Sequence, residues 1–208
     1  MSPLAFESIA VVETASIHEG VALIDGMTKA GRVEIVTASP IPPGRFLVVL
    51  GGAVGDVDAA HRRGLELAPQ PHDRVFLAEA HPDVLRAVAR LAASFQASRA
   101  ELDASVSDAL GLFEISTVSA ALDAADRGCK ATSARLLHLH LARGITGRAF
   151  GVFAGRQDAV EASLTEAEGR AREHDAWIGA TLLPRPDAAV ARWLAAGRWG
   201  DLAGQEIL

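Results

Sequence analysis

The fold is decided by a stretch that the chain contains twice. Residues 39–52 read SPIPPGRFLVVLGG, and residues 141–155 read LARGITGRAFGVFAG. Each copy has a Gly-Arg step, an apolar run of strand length, and then a small residue followed by glycine. Self-similarity of this kind indicates a repeat architecture, which the rest of the chain should then share.

The similarity extends outward from the loop through both halves. At an offset of 101 residues, SIAVVETASI at 8–17 aligns with ALGLFEISTV at 109–118, and two extra residues in the second loop shift the offset to 103. The matched positions are Glu13 with Glu114, Asp25 with Asp126, Lys29 with Lys130, Gly44 with Gly147, Arg45 with Arg148, and Gly52 with Gly155. Because glycines, charges and apolar positions keep one order, we interpret the chain as a tandem duplication.

Each half predicts the element order β-α-β-β-α-β. Strands are expected at 9–12, 33–38, 46–50 and 74–80, and again at 109–113, 135–142, 149–153 and 177–183. Pro82 and Pro186 suit the first turn of a short helix after each fourth strand. The order is the ferredoxin-like pattern, so we expect an α+β fold in tandem and unpermuted.

The first helix of each half carries an amphipathic stripe. Its positions are Ile17, Val21, Ile24 and Thr28 in the first half, matched by Val118, Leu122, Ala125 and Cys129 in the second. This spacing predicts one helix face packed on a core. Ser16 with Glu19 forms a candidate capping box, and Ser116 or Thr117 is the cap expected in the second half.

Composition excludes several classes of function. Half of the 208 residues are hydrophobic and the formal net charge is −6 without a basic stripe, which disfavours nucleic acid as a partner. No run of 18 apolar residues predicts a membrane span, and the N-terminus lacks the basic region of a signal peptide. One cysteine, Cys129, cannot form an internal disulfide, which fits a reducing cytoplasm.

The second half resembles the bacterial microcompartment shell domain family. The resemblance lies in AALDAADRGCKAT, ARLLHLHLARGITGRAFGVFAGRQDAVEASL and LLPRP, and in the first half, more loosely, in LIDGMTKAG and SPIPPGRFLVVLGGAVGDVDAA. It implies a first domain at 1–92, a linker at 93–107, and a second domain at 108–208 that includes a C-terminal helix and tail. Tandem members of the family form homotrimers that imitate its hexamers, so the resemblance implies a pseudohexameric tile.

The same resemblance implies where the tile works and with what. Its place is the shell of a bacterial microcompartment in the cytoplasm, beside hexameric and pentameric shell proteins and around encapsulated enzymes. The loop between the second and third strands lines the central pore in this family. Here that implies Ile41, Pro42, Pro43 and Gly44 in the first half, and Gly144, Ile145, Thr146 and Gly147 in the second.

Charged residues beside these loops have two interpretations. Arg45, Arg143 and Arg148 either form a positive ring that favours anionic or polar metabolites, or pair with acidic neighbours. The family's edge positions, where neighbouring tiles meet, imply the pairs Asp25 with Lys29 and Asp126 with Lys130, together with Arg185 and its counterpart His81. An aspartate four residues before a lysine is also an ordinary helix-surface pair.

We predict no cofactor and no metal site. In tandem shell proteins of propanediol-utilisation compartments, a loop cysteine holds an iron–sulfur cluster, and Pro42 stands at that position here. His138 and His140 share a strand face without a third ligand spaced nearby. We find no pairing of a nucleophile with a base, so we expect no enzyme. The alternative is a tandem ferredoxin-like regulator or enzyme that binds a small molecule in a cleft between its repeats.

Overall fold

A computed structural model of the protein describes residues 6–92, 108–142 and 144–196. The first half contains β1 Ser8–Thr14, α1 Ile17–Ala30, β2 Val33–Ile41, β3 Arg45–Gly52, α2 Val54–Leu67, β4 Asp73–Leu77 and α3 Pro82–Ala92. The second half contains β5 Ala109–Ile115, α4 Val118–Ala131, β6 Arg135–Leu141, β7 Ala149–Gly155, α5 Gln157–Glu173, β8 Trp177–Pro184 and α6 Ala188–Ala196. The predicted α+β element order is therefore confirmed in both halves. The predicted linker at 93–107 lies outside the described residues.

Each half builds one antiparallel sheet with the same strand order. The orders are β2-β3-β1-β4 and β6-β7-β5-β8. The register also repeats, because Ser8 faces Gly52 in the first sheet and Ala109 faces Gly155 in the second. Both edge strands carry a bulge at the same place, between Ile35 and Thr37 in one and between Leu136 and His138 in the other. A shared irregularity is strong evidence for duplication, since bulges are specific local features.

Helices α1 and α2 cover one face of the first sheet. The core between them contains Val12, Leu23, Met27, Val48 and Val57, all at most 1% exposed. The other face of this sheet, with Ile9, Val11 and Val49, belongs to a second cluster that continues into the second half of the chain. The two repeats thus share one continuous apolar core.

Helix α4 is the element that joins the repeats. It is buried along nearly its whole length, with Val118, Leu122 and Ala125 fully inaccessible. The Ser119 amide of the helix donates to Glu13 of β1, and the hydroxyl of its N-cap residue Thr117 donates to Asp73 of β4. The helix therefore lies between its own sheet and the open face of the first sheet.

The stripe predicted for α1 is only partly correct, because Ile24 packs against the core and the first two residues of the stripe do not. Helix α1 packs on its own sheet through Gly20, Leu23 and Met27. Ile17 and Val21, which we expected to be buried, are 47% and 56% exposed. The reason is that the matching stripe on α4 packs on the other repeat, whereas no described part of the second repeat covers that face of α1. No helix of the described segments is long and apolar enough to cross a bilayer.

The helix cap predicted from the sequence forms only in the second half. Thr117 accepts a hydrogen bond from the Ala120 amide at 3.3 Å and caps α4 as predicted. Ser16 caps α1 by its position alone, because its hydroxyl makes no capping bond, and the predicted box with Glu19 does not form. Thr14 instead donates its hydroxyl hydrogen bond to the Ser16 carbonyl at 2.7 Å.

Candidate functional site

The two loops predicted to line a pore lie side by side. The β2–β3 loop and the β6–β7 loop come so close that a Cβ added to Gly147 would lie 2.2 Å from the Pro42 carbonyl oxygen. A cavity of about 60 Å³ lies beside them, lined from the first half by Pro42 and Thr37 and from the second by Leu141 and Ala142. The fold thus brings together loops that are about a hundred residues apart in sequence.

The first loop is a tight turn with an exposed tip. Ile41 is buried, whereas Pro42, Pro43 and Gly44 are exposed. The Gly44 amide donates to the Ile41 carbonyl at 3.1 Å, and Gly44 has φ +106°, a conformation that favours glycine. Pro42 offers no ligand atom for a metal cluster at this tip, so the donor set does not fit an iron–sulfur centre held here by the chain's own thiolates.

The second loop is longer and has one buried position. Gly144 and Thr146 are exposed, Ile145 is half-buried, and Gly147 is buried against the first loop. Gly144, Thr146 and Gly147 have φ values of +70°, +55° and +79°. The Arg148 amide closes the turn by donating to the Ile145 carbonyl at 3.1 Å. Arg143 lies outside the described residues.

Arg45, at the start of β3 beside the first loop, lies in a buried ion pair. Its guanidinium donates to the Glu13 carboxylate at 3.1 Å and to the Gly147 carbonyl of the second loop at 3.2 Å. Glu13, fully buried, accepts a further bond from the Ser119 amide at 2.8 Å. Burial raises the pKa of Glu13, although the Ser119 amide and the Arg45 charge oppose the rise. Of the two interpretations left open by the sequence, Arg45 follows the acidic pairing.

The second repeat contains the same pair in an open setting. Arg148 donates to Glu114 at 3.0 Å, and the two side chains are 51% and 40% exposed. Both pairs stand at matched positions of the repeat. The arginine–glutamate contact is therefore the same in both repeats, but the first pair is buried and the second is half exposed.

A histidine holds the two repeats together on the other side of α4. Nδ1 of His174, the residue after α5, lies 2.9 Å from Asp73 of the first half, and Nε2 lies 3.0 Å from Asp123 of α4. Hydrogen bonds to Asp123 and Asp73 raise the pKa of His174 to about 9, so it is charged at neutral pH. Burial works to raise the pKa of both carboxyls, but hydrogen bonds from His174, together with those from Thr117 to Asp73 and from Arg170 to Asp123, lower the pKa of both. Arg170 also donates to Asp123 at 2.8 Å.

The residues predicted at tile edges differ in how far they are exposed. Lys29 and Asp25 form an exposed pair at 2.6 Å. Lys130 binds Asp126 at the same distance, but Asp126 is buried and also accepts the His81 amide at 2.6 Å. Arg185 is exposed with φ +48°. The second acidic–basic pair thus lies beside the junction of the repeats.

Sequence reasoning did not find the junction residues Asp73, Asp123 and His174. Each looks like an ordinary surface residue, and they are joined only when α4 docks on the first sheet. Glu13 carried a usable signal, because the acid and the arginine at Arg45 both recur at matched positions of the second half. Repetition of a charge pair in two strands of one sheet indicates a structural role for that pair.

Comparison with known proteins gives both the domains and their relatives. The model of the family described as BMC domain matches residues 8–82 and 109–186. The bacterial microcompartment shell protein PduT of Citrobacter freundii is 32% identical over 192 residues, which cover 92% of this chain and 99% of the relative.

Solved structures show the same architecture. A microcompartment protein from Desulfitobacterium hafniense DCB superposes with a TM-score of 0.72 at 28% identity, covering 90% of this chain and 99% of the other. The fused, permuted hexameric shell protein MSM0275 from the RMM microcompartment has a TM-score of 0.55 at 16% identity, over 81% and 85% of the two chains. The latter likeness concerns the fold alone.

Proposed function

The chain belongs to the BMC domain family of bacterial microcompartment shell proteins, and from this premise we propose that three copies close into a ring of six domains. Its role is structural, as a component of the microcompartment shell. In the proposed ring, each chain supplies two loops to a central pore. The observation that carries this proposal is the different burial of matched positions in the two repeats.

The exposed apolar face of α1 supports the proposal that a neighbouring chain covers it in the ring. Ile17 and Val21 are 47% and 56% exposed, and their matches Val118 and Leu122 are fully buried against the first repeat. The same difference occurs on the edge strands, where Ile35 on β2 is 47% exposed and its match Leu136 on β6 is 7% exposed. Apolar side chains that are exposed in one repeat and buried at the matched positions of the other are typical of a protein surface that is covered in an assembly. We assign this face to the second repeat of the next chain.

The complementary face lies on the second repeat. Within the chain, Glu13 and Arg45 bind the Ser119 amide and the Gly147 carbonyl of the following repeat. Their matches Glu114 and Arg148 keep their mutual bond and are half exposed. In the proposed ring they bind the matched backbone groups of the next chain, the His18 amide and the Gly44 carbonyl.

Such contacts are head-to-tail, and head-to-tail contacts form a closed ring when the rotation between units allows it. Two domains per chain require three chains for six positions. The six loops then alternate between the PIPPG and GITG types around the axis. Glycine and proline at these tips favour an aperture framed by backbone rather than by mobile side chains.

The proposed pore is a passive route for metabolites. Arg45 is paired with Glu13 and Arg148 with Glu114, so the positive charge that we assign to the rim of the pore comes from Arg143. Polar metabolites would cross under control of aperture and charge. We propose no catalytic activity for the chain, in line with relatives that are named as shell proteins.

The proposed partners are other shell proteins, hexameric and pentameric, with enzymes enclosed by the shell. We retain the division into a domain at 1–92, a linker at 93–107 and a domain at 108–208, and the family matches fall inside the two domains. We assign the edges between tiles to Asp25, Lys29, Asp126, Lys130, His81 and Arg185.

A cleft between the repeats fits the structure less well. The junction is filled by α4, which is buried on both faces, and by the charged groups around His174. The cavity beside the loops has about 60 Å³, whereas pockets for small metabolites and cofactors occupy about 300–1,000 Å³. The cleft-binding regulator or enzyme is therefore not favoured.

The test of the tile is assembly of the purified chain into sheets, observed by electron microscopy. We expect flat sheets from the wild type, and intact trimers without sheets when Lys29→Ala and Lys130→Ala are combined. Arg62→Ala, which removes an exposed cation paired with Asp58 on α2, is the matched control and should leave sheets unchanged. Normal sheets from the double lysine variant would contradict the edge assignment, and loss of trimers would place the lysines inside the ring.

A further inference from the structure

Three side chains capable of binding a metal meet where α3 packs against the end of α4. They are His81 just before α3, Asp83 in its first turn, and Cys129 near the end of α4. One ligand atom of each lies within 4.8 Å of the others. Two of the residues belong to the first repeat and one to the second, so the sequence gives no spacing motif for them.

The site is sheltered and has one side toward solvent. Cys129 is 3% exposed and Asp83 is 8% exposed, whereas His81 is half-buried. Because the imidazole is more accessible than the thiol, an ion would enter from the histidine side, and a water would be its fourth ligand. Three protein ligands with one water is a common arrangement for zinc.

Existing hydrogen bonds hold the ligands in place. Asp83 accepts the Leu136 amide at 3.0 Å through one oxygen, and its own amide donates to Nδ1 of His81 at 3.2 Å. Such outer bonds orient the first ligands of a metal site. Arg86 pairs with the other oxygen of Asp83, but its side chain is 55% exposed and can turn toward solvent when an ion binds.

We propose that His81, Asp83 and Cys129 bind one zinc ion per chain. Thiolate, imidazole and carboxylate are the donors that zinc uses in proteins, usually in a tetrahedral arrangement. On binding, the thiol proton leaves to solvent and a sulfur–zinc bond forms, with no change of oxidation state. This proposal replaces the absence of a metal site predicted from the sequence, and it does not depend on the trimer.

The ion would join the two repeats within one chain and nowhere else in the ring. At the matched junction between chains, Thr28 stands in place of Cys129 and Arg185 in place of His81. A threonine hydroxyl and a guanidinium do not replace a thiolate and an imidazole as zinc ligands. The expected stoichiometry is therefore one ion per chain.

The test uses the full chain, stripped with a chelator and titrated with cobalt(II), which reports tetrahedral thiolate ligation by its absorption. We expect a sulfur-to-cobalt charge-transfer band that saturates at one cobalt per chain and disappears when zinc is added. Loss of outer ligands lowers metal affinity about 10–100-fold, so removing a direct ligand in His81→Asn should lower it at least as much. His72→Asn, at an exposed histidine, is the matched control.

Thermal unfolding provides a second readout that does not depend on colour. Zinc should raise the Tm of the wild type, since a ligand bound only by the folded state stabilises it. It should not raise the Tm of Cys129→Ser or His81→Asn. His81→Asn keeps the test decisive if the buried serine variant fails to fold. A missing charge-transfer band, or equal binding by the His81 variant, would overturn the proposal.

Discussion

Arg45 donates across the junction of the repeats to the carbonyl of Gly147 at 3.2 Å, and it is held there by buried Glu13. Its counterpart Arg148 has the same acidic partner, Glu114, in a half-exposed setting. The same arginine–glutamate pair thus occurs twice in the chain, once buried and bonded to the other repeat, and once half exposed at the surface. We therefore assign the buried pair of Arg45 to the stability of the chain and the half-exposed pair of Arg148 to assembly.

Replacing the two arginines should therefore have different effects. Arg45→Met leaves the Glu13 carboxylate buried without its partner, and breaking a buried pair in this way costs about 3–5 kcal/mol of unfolding free energy. Arg148→Met removes an exposed pair, worth about 0–1 kcal/mol within the chain, and should instead weaken the trimer. Denaturant unfolding measures the first effect and analytical ultracentrifugation the second. Equal loss of chain stability in both variants would contradict this distinction.

The exposed stripe of α1 predicts a variant that prevents assembly without unfolding the chain. Val21→Asp places a carboxylate where the next chain should bury an apolar side chain, at a cost of about 3 kcal/mol for each junction, or about 100-fold in affinity. Because Val21 is 56% exposed in the chain, the Tm should change little at low concentration. Ala162→Asp, on the exposed face of α5, is the control. A Val21→Asp protein that still forms the same oligomer would disprove the assignment of this face.

The second loop predicts a graded response to alanine. Gly144 and Gly147 both have positive φ values, for which a side chain costs about 1–2 kcal/mol. Gly144 has open space around its Cβ position, so Gly144→Ala should cost only that amount. Gly147→Ala also meets the Pro42 carbonyl and Arg45, and should cost clearly more. Unfolding free energies of the two variants provide the comparison, and similar values would argue against close packing of the loops.

The cluster around His174 predicts a dependence of stability on pH. The folded pKa is raised from 6.5 to about 9, so protonated His174 contributes its full stability below pH 6.5. The contribution declines as the pH rises and is lost above about 9. His174→Gln should remove most of this slope and cost about 2 kcal/mol near pH 6, as expected for hydrogen bonds to charged groups.

The same cluster should not affect the contact between chains. In the register of the second sheet, Gly179 faces Glu114 as Asp73 faces Glu13, and Ala22 stands in place of Asp123. The carboxylates are therefore absent from the matched junction. His18→Gln, at an exposed histidine on α1, serves as the control for the pH experiment. A wild-type slope retained by His174→Gln would show that another group causes it.

The duplicated sequence was sufficient to predict the order of elements and the matched strands of the two repeats. It failed where identical patterns meet different surroundings. The stripe at Ile17 and Val21 looks the same as that at Val118 and Leu122, but only the second is covered within the chain. Local periodicity identifies an apolar face and does not identify what covers it.

Contacts between distant residues were also beyond the sequence. Asp73 and His174 are 101 residues apart and form an ion pair only after α4 docks on the first sheet. The cap at Ser16 failed for a local reason, since its hydroxyl makes no capping bond to the helix. Capping motifs favour a helix start without requiring the bond.

The most direct test of the assembly is native mass spectrometry of the full chain at increasing concentration. We expect a dominant species of three chain masses for the wild type and for Ala162→Asp, and a monomer for Val21→Asp. This pattern would support a ring closed by the α1 face. A wild-type chain that remains a monomer or a simple dimer at every concentration would contradict the pseudohexameric tile.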